Sequence, residues 1–354
     1  MKSYLFLVPL LSVLISASAS TLKDDEELII FPTYGHLTPD HKFWLISIHG
    51  IVYEPEKGSR LRDGLVTFFG KHVHLNKDEL HNPLFRERAR LFLIDNERGK
   101  RISVALLERT YNLKRTRPNG HIEDTLLVPS KILLSSQSQS ENWIPIESIP
   151  LGQDNRIFYG KLQLIGEEGI SVISDIDDTI KITEVTDREA MIHNTFLKEF
   201  QPVPGISKVY RSWQKDGAVF HYLSASPWQL FSPLSKFIEK EDFPPGIFHL
   251  KHFRWKDSSL FALFESPEKY KREGIEPIFR DFPKRRFILV GDSSEKDPEI
   301  YGEIAREHPG QIEHIFIRDV DGKGDGIRYK KAFESLPSTL WKVFRDPSEM
   351  ILSK

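Results

Sequence analysis

Asp175-Ile176-Asp177-Asp178-Thr179 sets a run of carboxylates and a hydroxyl directly after the apolar stretch Gly169-Ile170-Ser171-Val172-Ile173-Ser174. In an extended backbone residues two apart share a side, so Asp175 and Asp177 reach one cavity. Paired carboxylates at a strand end repel unless a cation neutralises them. Magnesium suits that place, because it binds through one or two carboxylates plus phosphate oxygens and keeps several waters. Standing alone, such a run also reads as a turn or a helix cap. A second acidic cluster decides against that reading: Gly291-Asp292-Ser293-Ser294-Glu295-Lys296-Asp297 follows another buried-type strand, Phe287-Ile288-Leu289-Val290. Two acidic strand ends in one sheet can converge on one cation. Between them, the apolar run Val219 to Leu223 ends in Ser224, and Lys269, Lys271 and Arg272 open a helical stretch. A hydroxyl and an ammonium are the groups that hold a phosphate.

Those residues need a scaffold that brings strand ends together. After Glu168, strands alternate with helical segments, the signature of a parallel sheet whose ligand sits at the carboxyl ends of its strands. The pattern predicts strands at 169–174, 219–223, 287–290 and 314–317, with helices near 205–215, 229–240, 270–282 and 298–308. From about Leu28 to Leu164 the apolar runs are short and β-rich, among them Trp44 to Ile48, Leu65 to Phe69, Leu91 to Ile94, Ile102 to Leu106 and Arg156 to Tyr159. Turn formers such as Pro118-Asn119-Gly120 separate them, which predicts a β-sandwich-like region, with Ser135 to Ser140 as a loop inside it.

The motifs resemble those of the haloacid dehalogenase-like phosphohydrolase superfamily, which appear here in order: DxDxT at Asp175, Ser224, a lysine, and GDxxxxD at Asp292. The similarity is greater still to the phosphatidate phosphatase catalytic domain first associated with actin-patch proteins. It rests on Ser174 to Lys181, on His221-Tyr222-Leu223-Ser224-Ala225-Ser226-Pro227-Trp228, and on Gly291-Asp292-Ser293 through Asp297-Pro298-Glu299-Ile300-Tyr301, within about Gly169 to Val320. The resemblance implies an α/β, Rossmann-like parallel sheet without a large cap, magnesium as cofactor, and roles for the matched residues. Asp175 becomes the nucleophile that forms an aspartyl-phosphate. Asp177 becomes the acid for the leaving alkoxide and then the base for water, which calls for a pKa above that of Asp175. Ser224 and Lys271 bind phosphoryl oxygens; Lys271 is preferred to Lys269 because it precedes Ile275 and Ile278 at helical spacing. Thr179 and Ser226 are further substrate contacts, although a hydroxyl before Pro227 also reads as a helix-start cap. The implied metal set is Asp175, Asp177 through its carbonyl, Asp292 and Asp297, the last supporting the others.

Composition narrows the field from the other side. The chain has 354 residues, enough for two domains, and its net charge of -2 gives no general attraction to nucleic acid or anionic membrane. The absence of cysteine excludes disulfides, thiolate nucleophiles and cysteine metal sites. Lys2, the apolar run Tyr4 to Ile15 and Ala17-Ser18-Ala19 fit a cleaved export signal too short to span a bilayer. Without cysteine or Asn-x-Ser/Thr sites, the expected destination is a bacterial periplasm or the medium. The organisation expected is a signal at 1–19, a β-rich domain at 20–168 and a phosphatase domain at 169–354.

Lys251 to Phe264 mixes cations with aromatics, as a membrane-touching loop would, but such spacing also packs a core. Asp319 to Asp325 reads as a turn rather than a calcium loop, since Lys323 occupies a ligand position. His221, inside an apolar strand, reads as a hydrogen-bonded core histidine. About 40 residues separate Thr179 from Phe220, room for a flap and one helix but no large cap at ordinary domain sizes. The cleft is therefore expected to admit a bulky phosphomonoester. Phosphatidate or a related phospholipid at a membrane surface is the substrate that the resemblance implies. Soluble phosphoesters or phosphoproteins are the alternative within the same chemistry, and a non-catalytic surface-binding protein on a phosphatase-like scaffold is the alternative outside it. No transmembrane span is expected, and nothing in the sequence sets the oligomeric state.

Overall fold

The computed structural model describes residues 21–55, 60–134, 143–149, 155–253, 268–320, 322 and 326–352. The expected export signal, the serine-rich loop Ser135 to Ser140, and the segment 254–267 that mixes cations and aromatics lie outside the described residues.

Two sheets organise the chain. The first region contributes β1 (Glu27–Ile30), β2 (Thr33–Leu37), β3 (Phe43–Glu54), β4 (Asp95–Asn96), β5 (Ser103–Leu106), β6 (Arg109–Asn112), β7 (His121–Pro129), β8 (Trp143–Ile149) and β9 (Tyr159–Leu164). Among the described residues these nine form one hydrogen-bonded sheet. β3, 12 residues long, pairs along its length with β1, β2, β4 and β7. Inward residues from strands across the sheet, including Leu28, Trp44, Ile46, Val104, Ile122, Ile146 and Leu162, share one core. The region is β-rich as expected, but a single continuous sheet stands where a sandwich would have two, because one long strand serves as partner to four others.

Two of the expected strands are not strands, and a third, Arg156 to Tyr159, enters a strand only at Tyr159, where β9 begins. Leu65 to Phe69 lies inside helix α1 (Arg60–His72), in which Val66 and Phe69 are buried while Leu65 and Phe68 are exposed. With Val73 buried just beyond, the spacing is helical, and it overrides the β propensity of the individual residues. Leu91 to Leu93 closes the end of α2 (Pro83–Arg90) in turns, each amide reaching back three residues to Arg88, Ala89 and Arg90. Asn82 starts α2 by accepting from the amides of Leu84 and Phe85 at 2.9 and 3.1 Å, with Pro83 in the first turn. A short helix, α3 (Ser130–Leu134), follows β7.

The second sheet is wholly parallel, in the order β12-β11-β10-β13-β14-β15. Its strands are β10 (Ile170–Asp175), β11 (Val219–Pro227), β12 (Ile247–Lys251), β13 (Arg286–Asp292), β14 (Ile312–Arg318) and β15 (Trp341–Phe344). Both faces are covered, which is why β10 and β13 read as unbroken apolar runs. The helices are α4 (Arg188–Ile192), α5 (Ile206–Lys215), α6 (Phe231–Lys240), α7 (Glu268–Asp281), α8 (Asp297–Glu307) and α9 (Gly326–Ala332). On one face the core joins Tyr210, Trp213, Leu234 and Phe237 to Phe31, Val66, Phe69 and Phe92 of the first region. On the other it gathers Ile275, Phe279, Tyr301 and Ile304 from α7 and α8. The chain is therefore a mixed α/β structure in which the β-rich region packs directly against the parallel sheet.

Candidate active site

β10 and β13 are neighbours in register, with Ser174 opposite Val290, so their acidic ends emerge side by side. Asp175, Asp292 and Asp297 are all buried, and one carboxylate oxygen from each lies within 4.8 Å of the others. Asp297 enters from the first turn of α8, where a helix N-terminus favours negative charge. Gly291 makes the approach possible. A Cβ there would stand 2.3 Å from Asp297 Oδ2, whereas the Asp292 amide now donates to that oxygen at 3.1 Å.

Lys271, on α7 and fully buried, places its ammonium 3.0 Å from Asp175 Oδ1, 2.8 Å from Glu295 and in contact with Asp297. Of the two lysines considered from the sequence, Lys271 is thus at the site; the side chain of Lys269 lies outside the described residues. Burial alone would lower the Lys271 pKa, but Asp175, Asp297 and Glu295 outweigh it and keep the ammonium charged. One ammonium cannot balance these carboxylates. Burial and the Asp297 charge push Asp292 up to about 8, and burial carries Asp175 well above the usual carboxylate range despite Lys271. Asp175 Oδ2 is buried without a hydrogen-bond partner among the described residues. A buried, oxygen-only donor set with surplus negative charge and one open carboxylate oxygen fits a hard divalent cation.

Asp177 points elsewhere. Its Oδ1 accepts from Thr183 at 2.9 Å and meets the Lys181 ammonium at 2.7 Å; its Oδ2 accepts from Ser224 at 2.7 Å and from Ser226 at 3.1 Å. The side chain is spent on these partners, which leaves any metal contact to its backbone carbonyl. Burial would raise its pKa, but Lys181, Ser224 and Thr183 together hold it near 2. The expected order, with Asp177 titrating above Asp175, is therefore inverted in the protein without a cation or substrate. The cause is a buried lysine four residues along whose charge the sequence reading did not weigh.

Ser224 ends the regular part of β11 and accepts from the Ser226 amide at 2.9 Å, so the two hydroxyls reach Asp177 as a pair. Thr179 lies near Asp292, with a long 3.4 Å contact to its Oδ2. Asp178 was given no role from the sequence, yet it shapes the site. It sits at φ 55°, in the left-handed region, and its buried carboxylate accepts from the amides of Thr183, Glu184 and Val185 at 2.8, 2.8 and 2.7 Å. That anchors a flap running through α4 and the π-helical turn His193–Leu197. Flap, β11 loop and β13 loop line a cavity of about 460 Å³ whose walls mix polar groups, among them Asp175, Asp177, Ser226, Glu295, Arg188 and Lys296, with the apolar Phe92, Val185, Met191 and Leu230.

His221 is a core histidine, with Nδ1 3.2 Å from His249 Nε2. Phe253 is buried against Phe92, so the described start of the cation-aromatic stretch belongs to the core. Asp319 is tied to Arg345 at 2.9 Å; residues 321 and 323–325 of the expected turn lie outside the described residues.

Comparison with known proteins addresses the same segment. Residues 170–319 match the family described as phosphatidate phosphatase APP1, catalytic domain. The similarity to the phosphatidate phosphatase catalytic domain, read from the sequence, is thereby shown over that stretch. The chain is 42% identical over 154 residues to phosphatidate phosphatase APP1 of Saccharomyces cerevisiae, covering 42% of this chain and 26% of the yeast protein. It is 33% identical over 184 residues to the uncharacterized protein C29B5.04c of Schizosaccharomyces pombe, covering 51% of this chain and 30% of that protein. The chain thus spans less than a third of the length of either relative. A putative beta-phosphoglucomutase from Thermotoga maritima overlaps 51% of this chain and 96% of its own at a TM-score of 0.31 and 13% identity, which assigns no fold.

Proposed function

We propose that the chain hydrolyses a phosphomonoester, with phosphatidate or a related phospholipid as substrate, through an aspartyl-phosphate on Asp175. The observation that carries the proposal is the convergence of Asp175, Lys271, and the Asp292 and Asp297 pair from three separate stretches of chain around one buried point. Asp175 and Asp292, supported by Asp297, would hold magnesium, which when bound supplies positive charge to offset that of the transferring phosphoryl group.

The chain's own groups account for the rest. Asp175 Oδ2, buried and without a hydrogen-bond partner among the described residues, attacks phosphorus; its bond to phosphorus forms as the bond to the leaving alkoxide breaks. Lys271 steadies the charge on the phosphoryl oxygens, and Ser224 and Ser226 orient them by exchanging their bonds to Asp177. A phosphate dianion beside Asp177 raises that carboxyl from its low resting pKa by like-charge repulsion. It can then deliver a proton to the leaving oxygen and later take one from the water that releases phosphate.

A lipid is favoured over a soluble ester by the apolar members of the cavity lining, Phe92, Val185, Met191 and Leu230, which suit a diacylglycerol moiety. The match of residues 170–319 to the phosphatidate phosphatase family supports the same choice. The reading extends to a haloacid dehalogenase-type sheet, a division near residue 169 and export after residue 19, the last testable by sequencing the N-terminus of the secreted protein. Phosphate release from phosphatidate vesicles and from soluble esters, with magnesium or chelator, tests the function. Asp175→Asn should lose at least about a thousandfold, as for a removed covalent nucleophile, and activity surviving it rejects the assignment.

A further inference from the structure

A second cluster of ligating side chains lies away from the carboxylates. In the pairing of β3 with β7, His49 stands opposite Glu123 while His121 stands opposite Ile51. His49, His121 and Glu123 therefore project from one face of the first sheet. His252 reaches the same point from the chain leaving β12, the edge strand of the parallel sheet. His49 Nε2 is 2.9 Å from His121 Nδ1, and one ring nitrogen from each of the three histidines lies within 4.8 Å of the others.

We propose that His49, His121 and His252 form a site for a zinc-class divalent ion that ties the β-rich region to the edge of the parallel sheet. Three imidazoles are the donor set that borderline transition ions select, and a tetrahedral ion about 2.0–2.1 Å from each nitrogen asks for nitrogens about 3.3 Å apart. The 2.9 Å pair opens to that spacing with a small tilt of either ring. The outer contacts fit as well. His252 Nε2 is 3.3 Å from Glu123 Oε1, the carboxylate pairing that orients an imidazole whose other nitrogen ligates. Arg117 holds the second oxygen of Glu123 at 2.8 Å. Burial keeps His121 and His49 neutral at physiological pH, the form that binds metal. Solvent reaches the site through His252, which is 46% exposed.

The location gives the ion a purpose. Trp228 packs edge-on against His49 at 4.4 Å, and Phe31 lies between them and α6, 4.2 Å from Trp228 and 4.8 Å from Phe231. Trp228 directly follows the loop that carries Ser224 and Ser226. An ion at the histidines braces that loop from behind without touching substrate.

Cobalt titration of the full chain in the Asp292→Asn background is the test, since the altered carboxylate site then cannot account for imidazole-bound cobalt and catalysis is not the readout. The expected result is one equivalent of cobalt with a tetrahedral visible absorption band, displaced by zinc, together with a zinc-dependent rise in Tm. Removing an outer carboxylate lowers affinity about 10- to 100-fold, so Glu123→Gln should weaken cobalt binding by that much and His252→Ala, which removes a ligand from a half-exposed position, by at least as much. A titration with no saturable band, or His252→Ala and His121→Ala proteins that keep wild-type affinity, overturns the proposal. An unchanged metal-free Tm in His252→Ala shows that its loss is not one of folding.

Discussion

Asp178→Asn tests whether the third carboxylate of the acidic run is an anchor for the flap rather than a participant in chemistry. Asparagine tolerates the left-handed φ of 55° that Asp178 adopts, so the substitution leaves the turn unstrained. It changes the hydrogen bonding instead. The carboxylate accepts three amide protons, two on Oδ1 and one on Oδ2. The amide keeps one acceptor and turns an NH2 toward the Val185 amide or toward those of Thr183 and Glu184. Hydrogen bonds to a charged group contribute about 1.5–3 kcal/mol and neutral ones about 0.5–1.5. Losing one bond and weakening the other two, less the relief of no longer burying a charge, leaves a net loss of about 3 kcal/mol. Local opening of the flap should then be favoured about a hundredfold. Hydrogen exchange at the amides of Thr183, Glu184 and Val185 reads this directly, and protection there should fall by that factor while the β13 strand amides stay protected to the global limit. Phosphate release should fall through KM more than kcat, because the flap lines the cavity while Asp175 and Lys271 are untouched. Unchanged protection at 183–185, or a loss of activity as complete as that of Asp175→Asn with the flap still protected, would refute the anchoring role.

Lys271→Met removes the only cation among Asp175, Asp297 and Glu295 described at this point, and should abolish phosphate release and destabilise the fold by about 3–5 kcal/mol in urea unfolding. Gly291→Ala should displace Asp297, since a Cβ would meet its Oδ2 at 2.3 Å; activity near wild type would show that Asp297 is dispensable. Magnesium should raise Tm in the wild type and lose that effect in Asp292→Asn, measured by calorimetry. Burial lowers the pKa of His249 to about 4 and that of His221 below its usual value. Both folded pKa values lie under the unfolded value of about 6.5, so their contribution is complete above that pH and is lost as pH falls toward the folded values. His249 alone should contribute a loss of about 2 kcal/mol between pH 7 and 5, and His249→Gln should flatten the profile accordingly.

The catalytic half was legible because its chemistry coincides with its strongest local signals. Buried parallel strands read as apolar runs, and β10 and β13 end in the acids that the sequence marked at Asp175 and Asp292. The family resemblance called for a lysine, and helical spacing to Ile275 and Ile278 selected Lys271 over Lys269. What stayed hidden depends on partners distant in sequence. Lys181 stands inside the motif that was quoted, but its pairing with Asp177 appears only once the chain turns back on itself through the 2.9 Å bond from its amide to Ile176. Glu295, between two expected ligands, reaches Lys271 through the geometry of the β13–α8 loop. Helix α1 was masked because Val, Thr and Phe favour strands individually, and only its burial against Phe85 and Phe196 selects the helix. The short edge strands β12 and β15 were passed over because neither carries a long apolar run.

Arg88 of α2 donates from one guanidinium nitrogen to the carbonyls of Thr195 and Lys198, at 2.6 and 2.8 Å, and Asn82 donates to that of Leu197 at 3.2 Å. The rear of the flap is thus clasped by a helix more than a hundred residues upstream. A fragment cut to the stretch that its relatives share would keep every carboxylate yet let go of that clasp and strip Phe31, Phe69 and Phe92 from the apolar surface they cover. The border at which kinship fades is therefore no place to sever the molecule, and protein engineers who want a minimal catalyst must carry the upstream helices with it.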